Sequence, residues 1–89
     1  MARTPTQVQL QKTLKEGLRR CVYRRWEAEI KGPVLITKTT ELERMYRGNT
    51  PYPIGKPKIA RRTYDAPPQA KSALLRAFIR RRAEGYRTA

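Results

Sequence analysis

Arginine pairs punctuate the chain at Arg19–Arg20, Arg24–Arg25 and Arg61–Arg62, and a triplet follows at Arg80, Arg81 and Arg82. Arg44 and Arg47 flank Tyr46, Trp26 follows the second pair, Tyr64 lies just past the third, and Tyr52 sits in a proline-rich stretch. The guanidinium fork grips phosphate oxygens bidentately and stacks on flat rings. Arginine interleaved with aromatics is what phosphate neutralisation plus base stacking requires. The candidate contacts to nucleic acid or another anionic partner are therefore Arg19, Arg20, Arg24, Arg25, Trp26, Arg44, Arg47, Tyr52, Arg61, Arg62, Arg80, Arg81 and Arg82. The triplet also has a local reading, because cations in the last turns of a helix complement its dipole.

Other chemistry is hard to build from this composition. Lysine and arginine outnumber acids 21 to 7, for a formal net charge of +14 in 89 residues. There is no histidine, a single cysteine at Cys21 and one aspartate. Acid–base catalysis needs two tunable groups in a pocket, and zinc needs four ligands. The expectation is a non-enzyme without cofactor or metal. A lone cysteine also rules out a disulfide within the chain. No apolar run approaches the roughly 18 residues of a membrane span, and "MARTPTQVQLQKTLK" lacks the apolar core of a secretory signal. That stretch is basic and amphipathic, a weak likeness to organelle-import signals. The expected location is intracellular, with the mitochondrial matrix as one candidate.

The spacing of apolar residues predicts the elements that carry these groups. Leu10, Leu14, Leu18, Val22, Trp26 and Ile30 recur every four residues, with Thr4 and Pro5 before them as cap and first-turn proline and "KGPV" after them as a stop. This predicts a helix over about 5–31. On a helical wheel with Leu10 at 0°, Arg19, Arg20 and Arg24 fall at about 180°, 280° and 320°, and Arg25 falls at about 60°, inside the apolar arc. Cations in nearly every direction suit a helix embedded in a charged assembly better than one with a solvated face. "PVLIT" reads as extended, a short edge strand or a strap. Thr40 with Glu43 predicts a short helix over about 41–47, stopped by Gly48–Asn49. "NTPYPIGKPK" (49–58) carries three prolines and reads as an extended strap. Asp65 as cap, Pro67–Pro68 and an alanine-rich face predict a second long helix over about 66–84.

"VYRRW" resembles the leucine–tyrosine–arginine signature of the LYR proteins, with Val22 where leucine belongs and Tyr23 and Arg24 matching. The resemblance implies a basic three-helix bundle that docks on mitochondrial respiratory complexes or iron–sulfur machinery. The match covers three residues, and the proline-rich 49–58 stretch interrupts the later helices of such a bundle.

The expected fold is thus mainly α: one small basic chain over 1–89, helix–strap–helix, with little independent core and ordered by its partners. The expected function is a structural subunit of a large ribonucleoprotein, a ribosome of an organelle or otherwise, that contacts structured RNA and neighbouring proteins. The alternative is an accessory subunit of a mitochondrial respiratory or ATP synthase complex, whose partners would be acidic protein subunits.

Overall fold

A computed structural model describes residues 7–45 and 50–88, without the side chain of Met45. Its elements are β1 (Gln7–Glu16), β2 (Arg20–Lys31), β3 (Val34–Met45), β4 (Tyr52–Thr63), α1 (Pro67–Ala83) and β5 (Arg87–Thr88). The five strands form one antiparallel sheet in the order β4-β3-β2-β1-β5, and α1 lies across one of its faces. The mainly α expectation is therefore overturned. Over 7–31 the expected helix is a β-hairpin, the 41–47 helix is strand up to Met45, and the LYR-like residues lie in β2 rather than in a helical bundle. Thr4, Pro5 and Tyr46 to Asn49 lie outside the described residues.

The physical reason lies in the period. A repeat of four drifts around a helix by about 40° per step. It is also a multiple of two, so in a strand it keeps strictly to one face. Val22, Trp26 and Ile30 line the helix-bearing side of β2 with Ala28, and Leu10 stands opposite Trp26 on β1. Leu14 falls at a bulge between Thr13 and Lys15, and Leu18 falls in the hairpin turn, where it is 93% exposed. The β-branched and aromatic content of "CVYRRW" and "VLITKTT" fits a pleated surface. "KGPV" is the tight turn between β2 and β3. Gly32 takes φ 59°, the positive sign that such a turn needs at its first central position. A glycine suited to a helix cap is equally suited to a hairpin. "VLIT" is extended, but it opens β3, an interior strand paired on both sides, rather than an edge strand or a strap. The proline-rich stretch is extended too, and continues as edge strand β4 with a bulge opposite Thr39/Glu41.

The second helix forms where expected. Its N-cap is Ala66 rather than Asp65. Gln69 Oε1 accepts the backbone N–H groups of Asp65 (2.9 Å) and Ala66 (3.3 Å), which supplies part of a capping box. Gly85, at φ 102°, turns the chain back so that β5 pairs with Leu10 and Gln11 of β1.

The chain forms a core, where little was expected. Leu10, Trp26, Ala28, Leu35, Ala73, Leu74 and Tyr86 are buried in one cluster, with Val8, Ile30, Tyr64, Ala77 and Phe78 packed against it. On the opposite face Tyr23, Leu42 and Thr40 are buried between the two bulges, where strands bend and twist more strongly.

Candidate nucleic-acid interface

Strand alternation sorts the arginine clusters. Arg20 and Arg24 share the helix-bearing face of β2 with Trp26, while Arg25 points to the other face. The wheel placed Arg25 inside an apolar arc. In the sheet it is a cross-strand neighbour of Gln11 and Thr40, half-buried, and its Nε has no hydrogen-bond partner among the described residues. Arg20 and Arg24 are tied to carboxylates of β3, at 3.2 Å to Glu43 and 2.9 Å to Glu41. The Glu41 carboxylate, and after it the Tyr86 hydroxyl, hold the Arg24 guanidinium above its ordinary pKa.

The helix-bearing face is covered unevenly. The face of α1 formed by Ala70, Ala73, Leu74, Ala77 and Phe78 sits over β2 and β3. Among the described residues no helix covers β4, which is exposed along its whole length. A groove remains between α1 and β4, floored by β3. One end is a hollow of about 460 Å³ with Leu35, Thr37, Ala60, Ala73 and Ala77 in its lining and Arg61, Arg62, Tyr64, Arg76 and Arg80 around it. The adjoining hollow, of about 420 Å³, is lined by Arg24, Thr39, Glu41, Ile54, Lys56, Lys58, Arg81 and Tyr86. From Ile54 to Arg62 the groove runs about 26 Å, at roughly 3.3 Å per strand residue.

The helix supplies one wall because of its periodicity. With Ala70 at 0°, Arg76 and Arg80 fall at about 240° and 280°, on the flank beside Ala73. That flank faces β4. Leu75, Ile79 and Arg82 fall on the outer and opposite sides, and Leu75 and Ile79 are exposed. Arg81 stays with the inner face. Its guanidinium lies 5.7 Å from the Trp26 ring centroid and 5.8 Å from that of Tyr86, and it pairs with Glu84 at 3.0 Å.

Of the residues singled out in the sequence, the groove brings together Arg24, Arg62, Arg80 and Arg81; Arg61 borders it, but its register opposite Ile36 puts it on the other face of the sheet. Arg19 lies in the exposed β1–β2 turn, Arg44 is exposed on the other face opposite Cys21, and Arg82 is exposed outside the groove. Arg47 lies outside the described residues. Trp26 is 2% exposed and serves the core, so it has no surface to offer a base. Tyr52 is exposed at the start of β4, opposite Glu43. Desolvation, and then the Glu43 carboxylate, push its phenol above the ordinary value. Lys56, Lys58, Arg76 and the small residues Ala60 and Ala77 were missed. The spacing of Arg76 and Arg80 by one helical turn was a usable signal for one wall. The strand wall was hidden in a segment read as a strap.

Among the described residues no group of three or more His, Cys, Asp or Glu side chains could hold a metal ion, and no helix is long and apolar enough to cross a membrane. No family model, curated protein or solved structure matches the chain.

Proposed function

We propose that the chain is a non-catalytic, RNA-binding component of a ribonucleoprotein, with a ribosome as the first assembly to test, and that the β4–α1 groove holds the RNA backbone. One observation carries this reading. Lys56, Lys58, Arg62, Arg76 and Arg80 line one groove, and none of the five takes part in a salt bridge among the described residues. Like charges gathered in this way repel one another until a polyanion offsets them. The single acid of the groove among the described residues, Glu41, is already paired with Arg24. A nucleic-acid strand offers one phosphate per roughly 3.4 Å of duplex axis, so a groove of this length can meet several in a row.

The helix argues against reading of a DNA major groove. A recognition helix must project from its domain, whereas α1 lies flat on the sheet with its basic flank turned toward β4. RNA that combines backbone charge with unpaired bases suits a recessed groove better. An accessory subunit of a respiratory or ATP synthase complex would set acidic side chains in the same place, and no feature of the groove favours that reading.

The test is the affinity for a labelled RNA hairpin between about 50 and 200 mM salt. Five phosphate contacts give a slope of about −4 in log affinity against log salt. A flat response would refute the proposal.

A further inference from the structure

The first hollow of the groove differs from the second in its floor. Where α1 meets the uncovered strand, the facing positions are Ala60 on β4 and Ala73 and Ala77 on α1, with Leu35 beneath. Elsewhere the interface between helix and sheet is filled by Trp26, Leu74 and Phe78. Native interiors are close-packed, so a recess with an apolar floor beside a finished core is a place for a guest. At about 460 Å³ it falls within the size range of small-ligand sites. Its rim is cationic on both walls. Tyr64 closes one end, and the Arg62 guanidinium lies 5.4 Å from its ring centroid.

Building on the proposed binding of RNA in this groove, we propose that the hollow receives a single unpaired nucleobase, with the phosphates on either side held by Arg62 of β4 and by Arg76 and Arg80 of α1. A flat, weakly polar ring matches the apolar floor, and the stacked Arg62–Tyr64 pair offers a platform that a base can extend. Apart from the Thr37 and Tyr64 hydroxyls the lining has few neutral hydrogen-bonding groups, so the pocket accepts any base. A base still paired within a duplex cannot enter the recess. The groove therefore selects single-stranded segments, such as the loops of a folded RNA, over continuous duplex.

The experiment compares a labelled uridine oligomer of roughly 12 nucleotides with its adenine-paired duplex at equal salt, using a length inside the range known for single-strand grooves. The duplex has the denser charge, so a purely electrostatic groove would favour it. The expected result is tighter binding of the single strand, by about tenfold, the range that stacking of one base supplies. Ala60→Leu fills the hollow from an exposed edge position without removing a cation. It is expected to abolish the preference for single strand while the salt slope stays as steep. Equal or tighter binding of duplex by the wild type, or an undiminished preference in Ala60→Leu, would overturn the pocket and leave the RNA-binding reading standing. Salt-insensitive binding, or none, to both probes would overturn the two together.

Discussion

Over β2 and β3, α1 sets Leu74 and Phe78 into one cluster with Leu10, Trp26 and Tyr86. Over β4, on the same face of the same sheet, it presents Arg76 and Arg80 across a hollow to Ala60 and Arg62. The two halves share a helix and a floor, yet one excludes water with large apolar groups and the other gathers cations around small ones. The first half is the core of the fold. The second has charge to be neutralised and space to be filled, and these are the properties of a binding site.

Removing Trp26 should do most to erase the packed half. Trp26→Ala is expected to destabilise the fold by about 3–5 kcal/mol, read as a lowered midpoint in urea denaturation. A shift below about 1 kcal/mol would mean that the core does not centre on this ring.

Gly85→Ala comes next. Its φ of 102° is strained for a residue with a Cβ, and the turn it makes delivers Tyr86 into the core. A loss of about 1–2 kcal/mol is expected in thermal melting. An unchanged melting temperature would show that the chain leaves α1 by another route.

The triple variant Arg62→Ala/Arg76→Ala/Arg80→Ala attacks only the open half. Each surface substitution should change stability by no more than about 0.5 kcal/mol, while the salt slope of RNA binding becomes shallower by roughly 2 to 2.5. Collapse of the fold would place these arginines in the packed half instead.

The smallest expected effect on stability is that of Glu41→Gln, because its ion pair with Arg24 is solvent-accessible on both sides and such pairs contribute about 0–1 kcal/mol. The same change removes the acid from the groove, so RNA should bind more tightly in an anisotropy titration.

The sequence showed the first half of this comparison in the wrong element and the second half in fragments. Leu10, Val22, Trp26 and Ile30 were visible as a stripe, but a spacing of four satisfies strand alternation better than helical drift, and long-range pairing decided between them. Gly32 signalled a break that two kinds of structure can use. The helix over 67–83 was legible because proline, cap and small-residue face all agreed there. The cationic character and several of its residues, Arg24, Arg62, Arg80 and Arg81, could be read from composition and clustering. Their assembly into one groove could not, because it depends on β4 pairing with β3 and on α1 stopping short of the sheet edge. Arg19, Arg44 and Arg82 were grouped with them on charge alone. Trp26 was assigned to binding because its burial becomes evident only in the sheet.

The central claim is that RNA occupies the groove between α1 and β4, and amide chemical-shift mapping during titration with a labelled RNA hairpin tests it most directly. The account predicts that the largest shifts cluster at residues 54–64 of and just beyond β4 and at residues 73–81 of α1. Shifts centred instead on the opposite face, around Arg25, Glu27 and Lys38, or at the β1–β2 turn around Leu18, would contradict it.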